Sequence, residues 1–416
     1  MKIAYICADF GVPIFGFKGT SVHVREMINA FQQRGHDVVF FSPSVDGQSK
    51  IKKGFKTVEI KPQNSFNNVS KQLRKFDELF GLNSRVRFDL RDLLYNNVLF
   101  QKLIIKLRED KFDFIYERYS LFNYSGVALA RRLDIPHVLE INAPLCYEQE
   151  KMRGLELKNL ALQIEKRVFT ESDLLVAVSS NLKLYAESLG VPSERIAVVP
   201  NGVNPLKFKS DPRGRNIVLK KLKLEGKTVV GFVGSLKPWH GTETLIEAFN
   251  QIYDKNPKVH LLIVGDGPKR SELESKLNAL GLDSSVTWTG SIPHSDVPNY
   301  ISVMDIAVAP YIEQENFYYS PIKLFEYMAL GKPVVAGGIG QVNDILRDGE
   351  TGILYTAGNV EELKKALQRL IASPELRERL GKAGKAWVIR NRTWDSNVTA
   401  ILSIVNGMLI QGKDGN

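Results

Sequence analysis

Residues 318–338 read YYSPIKLFEYMALGKPVVAGG. Ser320 supplies an N-cap, Pro321 a first helical residue, and Gly331 with Pro333 a stop, so the spacing predicts a short helix. Ile322, Phe325 and Met328 fall on one face of it. The helix runs straight into the β-branched segment PVVAG, which is one helix-to-strand step of a parallel α/β sheet. Lys323 adds an ammonium at the end where free backbone N–H groups and the helix dipole already place positive charge. That arrangement costs free energy unless an anion sits there. The bland reading is a solvated surface lysine.

The same alternation extends in both directions. Strand candidates in the first half are KIAYIC, DVVFFS, TVEIK, FDFIY, HVLEI, LLVAVS and IAVVP; in the second they are TVVGFVG, VHLLIVG, VTWTG, IAVAP, PVVAG and GILYT. Amphipathic stretches such as SVHVREMINAFQQRG separate them, so the expected fold is α/β, with two doubly wound Rossmann-like domains. A chain of 416 residues is also too long for one ordinary core. The polar stretch NPLKFKSDPRGRN, residues 204–216, marks the seam, giving a first domain over 1–205, a second over 206–390 and a terminal helical segment over 391–416. Ligands of open parallel sheets bind beyond the carboxyl ends of the strands, and two facing sheets would enclose a deep interdomain cleft.

Composition narrows the function classes. No apolar run approaches the roughly 20 residues that span a bilayer. The start, MKIAYICADFG, reads as a first strand rather than a signal peptide, so a cytoplasmic protein is expected. Cys7 and Cys146 show no CxxC or zinc spacing, which suits a reducing compartment and no structural metal. Residues 50–108 carry fourteen Lys/Arg against five Asp/Glu, a net +9 of the chain's +10. Basic residues there interleave with Phe and Leu. An anionic membrane surface, nucleic acid and a plain solvated helix face are the three readings, and with no RNA- or DNA-binding signature nucleic acid ranks last.

The ends of the second-half strands carry the chemistry. After VVGFVG come Ser235, Lys237 and His240, then a helix near Thr242, a loop able to aim backbone donors and a cation at phosphate. After LLIVG come Asp266 and Gly267, a tight turn where glycine admits a ligand closely. After IAVAP comes the opening helix, with Lys323 at its mouth and Glu326 one turn deeper, where a carboxylate can accept both ribose hydroxyls. Three such strand ends in one domain point to nucleotide binding.

The segments PNGVN, GFVGSLKPWHG, VGDGP, WTGSIPHSDVPNYISVMDIAVAPY and SPIKLFEYMALGKPVVA, in this order and spacing, resemble the retaining GT-B glycosyltransferases of family 4. GTSVHVREMINAFQQRGHDVVFFSP is similar to that family's first loop and helix, so the resemblance covers nearly the whole chain. It implies a nucleotide-diphosphate-sugar donor on the second domain, a saccharide or lipid-linked acceptor on the first, and a last helix crossing back to the first. It further implies that Glu326 binds the ribose, that Lys323 and the backbone of Pro321, Ile322 and Leu324 meet the diphosphate, and that Gly19 admits the donor. Four positions depart from the family pattern. Ser235 replaces the usual arginine and His240 the usual lysine, leaving Lys237 the cationic role. Tyr318 stands where a paired-glutamate signature has its first carboxylate, and Asn142, beside Glu140, where many relatives have a sugar-contacting histidine.

There is no Asp-x-Asp motif, so no metal and no other cofactor is expected; Lys237, His240, Lys323 and helix-end amides would neutralise the leaving diphosphate. The resemblance implies retention, with the phosphate itself receiving the acceptor's proton. Glu140 and Asn142 are then positioning groups, with a lesser role in proton transfer. His23 and Glu117 are candidates for the acceptor side. The expected setting is surface polysaccharide or glycolipid synthesis, peripheral on the inner membrane face. A nucleotide-sugar epimerase or hydrolase of the same fold and a catalytically silent nucleotide-sugar-binding subunit stay open.

Overall fold

The computed structural model describes residues 1–16, 18–45 and 54–414. Lys50, Lys52 and Lys53 of the basic segment lie outside the described residues. The chain divides into two compact units, Met1–Pro200 with Asn397–Asn416, and Asn201–Ser396.

The first unit is built on seven strands: β1 (Lys2–Cys7), β2 (Asp37–Ser42), β3 (Lys56–Glu59), β4 (Phe114–Arg118), β5 (His137–Ile141), β6 (Leu174–Ala177) and β7 (Ile196–Val198). They lie in the order β3-β2-β1-β4-β5-β6-β7, every pairing parallel. The central strands are buried on both faces, which is why they read as continuous apolar runs rather than alternating ones. Ile6, Phe41, Leu99, Leu103, Ile115 and Leu129 pack into one core beside them. The basic segment forms β3 and the helices Asn64–Phe80 and Val86–Asp110. Of the last helix, Trp394–Asp414, residues from Asn397 onward group with this unit, where Val398, Ile401 and Val405 are buried and Asn397 Nδ2 donates to Pro200 O at 2.6 Å.

The second unit carries β8 (Thr228–Val233), β9 (Val259–Val264), β10 (Val286–Trp288), β11 (Ile306–Ala309), β12 (Val334–Gly338) and β13 (Ile353–Thr356). Their order, β10-β9-β8-β11-β12-β13, is again all parallel and reverses between β8 and β11. Alternate residues of β11 feed two cores, Val308 one and Ala307 with Ala309 the other, so both faces of the sheet are covered. All thirteen segments read as strands are strands. The polar stretch 204–216 folds with this unit, since Asp211 caps the helix Pro212–Lys221 through the N–H of Arg213.

The opening helix spans Ile322–Ala329, with Pro321 as its N-cap rather than its first residue. Ser320 does not cap it, because its hydroxyl and carbonyl accept from Asn201 N at 2.8 Å and Asn201 Nδ2 at 2.7 Å. The helix ends as expected: Gly331 turns at φ 68°, and Lys332 N–H closes back on Tyr327 O at 3.0 Å.

Candidate functional site

The strand order of the second unit fixes where its ligand site belongs. In an open parallel sheet a crevice forms at the carboxyl ends of the two strands where the order reverses, here β8 and β11. The loops after β8 and β9 are joined there by backbone hydrogen bonds: Gly234 N to Val264 O, Leu236 N to Asp266 O and Lys269 N to Leu236 O, at 2.9, 3.0 and 3.1 Å. Gly267 serves that junction. A side chain on it would lie 2.5 Å from the backbone nitrogen of Leu236, so the glycine makes room for the neighbouring loop, not for a ligand as expected. Asp266 beside it is half-exposed and accepts from Gly267 N and from Arg270.

The helix Ile322–Ala329 is pinned across the same point by a residue the sequence reading passed over. The hydroxyl of Tyr327, wholly buried, accepts from Val233 N of β8 at 2.7 Å. This sets the first turn, with the N–H groups of Ile322 and Lys323, beside the β8 loop. Leu324 has its side chain fully buried, and its backbone N–H, expected to meet the diphosphate, donates to Pro321 O at 3.1 Å.

Lys323 is not a solvated surface lysine. Its Nζ is buried with no hydrogen-bond partner, 4.3 Å from the centroid of the Phe232 ring and 5.5 Å from that of Tyr311. Burial pushes its ionisation down from 10.5 to about 7, with Glu326 pulling the other way. A side chain on Gly234, whose φ is 148°, would come within 2.7 Å of that Nζ. The ammonium therefore stands uncompensated at a helix mouth, which is the arrangement an anionic ligand completes.

His240 does not supply the second cation expected of it. Its Nδ1 faces the carbonyl of Ser235, which can only accept, so the ring proton is on Nδ1 and Nε2 keeps a lone pair. Burial, then Lys323, lowers its ionisation to about 3, leaving it neutral at physiological pH. Lys237 fits the cationic role better, with its Nζ 4.7 Å from the centroid of the Trp239 ring. Glu326 is buried and its Oε1 meets His294 Nε2 at 2.7 Å, while the His294 ring packs against Phe208. Tyr318 is 5% exposed, its ring centroid 4.3 Å from that of Tyr319, in an aromatic cluster with Tyr311 and Phe317.

In the first unit Glu140 is the hub. Tyr116 donates to its Oε2 at 2.5 Å, while Asn142 Nδ2, His23 Nε2 and an Arg118 nitrogen lie 2.7, 2.7 and 3.2 Å from its Oε1. Register explains the gathering, since Arg118 of β4 is directly paired with Glu140 of β5. Burial opposes ionisation, yet His23, Arg118 and Tyr116 outweigh it and hold the carboxyl at about 2. Such a carboxylate is a poor base, which counts against the lesser proton-transfer role. Gly19, the first residue of the helix Gly19–Gln33, has open space around it.

Glu117 is not on an acceptor surface. It is wholly buried, accepting from Asn123 Nδ2, with His137 Nε2 2.8 Å away and Ser172 Oγ 3.0 Å from that ring's Nδ1. Its neighbour along the strand, Arg118, takes the face toward Glu140, and alternation sends Glu117 to the other. Among the described residues no three His, Cys, Asp or Glu side chains gather as a metal site.

Residues 215–387 match the family model described as Glycosyl transferases group 1, and residues 17–206 the one described as Glycosyltransferase Family 4. The chain is 27% identical over 260 residues to the GDP-mannose-dependent alpha-(1-6)-phosphatidylinositol monomannoside mannosyltransferase of Mycolicibacterium smegmatis, covering 61% of this chain and 67% of that one. It is 31% identical to the alpha-D-kanosaminyltransferase of Streptomyces kanamyceticus over 46% of this chain and about half, 49%, of the relative. Anabaena HepE, solved with UDP, superposes with a TM-score of 0.74 at 19% identity, over 98% of this chain and 100% of its own.

Proposed function

From the premise that this chain belongs to the group 1, family 4 glycosyltransferases of GT-B fold, we propose that it moves a sugar from a nucleotide-diphosphate-sugar to an acceptor hydroxyl with retention of anomeric configuration. The observation that carries this reading is the buried, unpartnered Lys323 ammonium beside the first turn of the helix Ile322–Ala329, one turn from the Glu326–His294 pair. A diphosphate completes the first, and a ribose diol is matched to the free oxygen of the second. The GDP-mannose dependence of the mycobacterial relative supports the donor class.

Catalysis on this reading is electrostatic. Lys323, Lys237 and the N–H groups of Ile322 and Lys323 receive the charge that develops on the departing diphosphate, in a site arranged before the substrate arrives. His240 shapes the β8 loop through Ser235 and carries no charge there. The departing phosphate accepts the acceptor's proton, and Glu140 with Asn142 has a positioning role. No metal is required in this scheme. Glycolipid or surface polysaccharide synthesis at the cytoplasmic face of a membrane is the setting we favour, in keeping with the lipid named for the mycobacterial relative.

Thermal melts with UDP, GDP, ADP, dTDP and CMP test the donor site. A nucleotide at about 100 times its dissociation constant stabilises the protein by roughly 2.7 kcal/mol. A shift with one nucleotide that disappears in Glu326→Ala supports the transferase; no shift with any of them overturns it.

A further inference from the structure

The helix Ile322–Ala329 is backed by the longer helix Pro374–Asn391. Glycine allows the approach: a side chain on Gly381 would overlap Gly331 O, and one on Gly384 would lie 3.6 Å from Met328 Cγ. Val388 enters the core that holds Leu324, Tyr327 and Met328, and the half-buried Trp387 packs against that core. Between this helix and the turn 346–352, which leads into the amino end of β13, lies a cleft of about 420 Å³ lined by Arg347, Ala386, Trp387, Arg390 and Asn391. None of them is among the groups gathered at the carboxyl ends of β8 and β11.

The charge at this cleft is one-sided. Residues 380–392, LGKAGKAWVIRNR, carry four Lys/Arg and no Asp or Glu. Cations at a helix C-terminus ordinarily answer its free carbonyls. Here other groups take them: Trp387 O accepts from Asn391 Nδ2 at 2.8 Å, Val388 O from Arg392 N at 2.8 Å and Asn391 O from an Arg392 guanidinium nitrogen at 2.9 Å. Among the described residues Arg390 has neither a hydrogen-bond partner nor a carboxylate at ion-pair distance. Arg347, on the other wall, meets Glu350 at 3.8 Å with the two side chains 70 and 68% exposed, a pair of little worth. Arg392 stands behind Trp387, its guanidinium carbon 5.5 Å from the ring centroid and its Nε buried with no hydrogen-bond partner, and Asp344 only opposes the effect of that burial.

The chemistry of the lining selects a ligand class. Guanidinium forks on two separate elements match the oxygens of a phosphoryl group, which a single surface arginine would hold far less firmly. The Trp387 indole adds an apolar face against which the C–H side of a sugar ring can pack. Asn391 Nδ2 is already spent on Trp387 O, so its Oδ1 is the atom left to accept from a hydroxyl. The volume lies within the roughly 300–1,000 Å³ of small-molecule sites, toward the end that suits a single substituted sugar.

We propose that this cleft is a second ligand site of the second unit and takes a phosphorylated monosaccharide, with the phosphoryl group between Arg347 and Arg390 and the sugar ring against Trp387. The site is separate from the crevice at β8 and β11 and stands whether or not the transferase reading does.

Calorimetric titration of the full chain with glucose 6-phosphate, mannose 6-phosphate and N-acetylglucosamine 6-phosphate, beside glucose and inorganic phosphate, tests the site. Arg347→Gln/Arg390→Gln should weaken binding of the sugar phosphate at least about tenfold. Lys382→Gln/Lys385→Gln removes two charges from the same helix outside the cleft and should cost only a few-fold, the share due to diffuse attraction. All four side chains are exposed, so thermal melts close to that of the unaltered protein show that both variants are folded. Equal losses in the two pairs, inorganic phosphate bound as tightly as any sugar phosphate, or no binding of any sugar phosphate at millimolar concentration overturns the proposal. So does binding that survives the arginine pair and is lost in Lys323→Met, since the crevice at β8 and β11 would then be the site.

Discussion

His294 Nε2 lies 2.7 Å from Glu326 Oε1, on a loop that follows β10 and not on the helix that carries the glutamate. The contact fixes which oxygen of Glu326 remains for a ligand. His294→Ala should raise the donor KM by about tenfold, the worth of one charge-assisted hydrogen bond, and leave the acceptor KM unchanged. Glu326→Ala should cost more, because on the proposed reading it removes the group that accepts the ribose diol. Initial rates with donor and acceptor varied separately check both. An unchanged donor KM in His294→Ala counts against the positioning role.

On the proposed reading, Lys323 would make nucleotide binding a proton-linked event. With its free-state ionisation at about 7, most of the unliganded protein at pH 8 carries it neutral, and a bound diphosphate restores the charge. Binding should therefore take up a proton at pH 8 and weaken as pH rises further. Calorimetric titration in two buffers of different ionisation enthalpy reads the uptake directly, and Lys323→Met should abolish it.

The same lysine costs the unliganded protein stability. Between its folded value of about 7 and its ordinary 10.5 the unfolded chain binds a proton that the folded chain does not, so stability rises with pH across that window; below about pH 7 the cost is fully present. Lys332, lowered by burial to about 8, adds a change of the same sign. Lys323→Met should raise the melting temperature at pH 6.5 by roughly 2–8 °C, equivalent to about 1–2 kcal/mol, flatten its rise toward pH 9 and abolish turnover. A variant that melts lower would mean the ammonium is compensated.

Two buried glutamates in adjoining strands should part company under mutation. Glu117→Ala strands His137 and Asn123, and an expected loss of about 3–5 kcal/mol should leave the activity of the surviving folded molecules intact at low temperature. Glu140→Gln should instead lower turnover. The native Glu140 is held at about 2 against an ordinary 4.5, so it contributes stability above about pH 4.5 that is lost as pH falls toward 2, and the glutamine variant should lose that acid-side slope. Urea melts paired with rate measurements separate the two.

Most of the scaffold was legible in the sequence because parallel strands buried on both faces announce themselves as apolar runs bounded by glycine and proline. Lys323 and Glu326 were legible through their places in a punctuated helix. What escaped depended on contacts distant along the chain. Asn201 takes the hydroxyl that Ser320 was expected to spend on the helix, and His294 reaches Glu326 from another loop. Gly267 looked like a ligand glycine because a turn preceding a helix looks alike whether a phosphate or a neighbouring backbone fills the space. Glu117 and Arg118 were both candidates at one strand end, and only the sheet decides which face each one takes.

The first unit is assembled from two separated pieces of chain, 1–200 and 397–416, with the whole second unit between them. During synthesis its sheet leaves the ribosome long before the helical residues Val398, Ile401 and Val405 that group with it and are buried. At about 5–20 residues per second, the intervening stretch takes roughly 10–40 s to make. For that interval the nascent first unit is incomplete, whereas the second, contiguous in sequence, has all its parts as soon as it emerges. Nascent-chain protection by chaperones should therefore be needed chiefly by the half that is translated first.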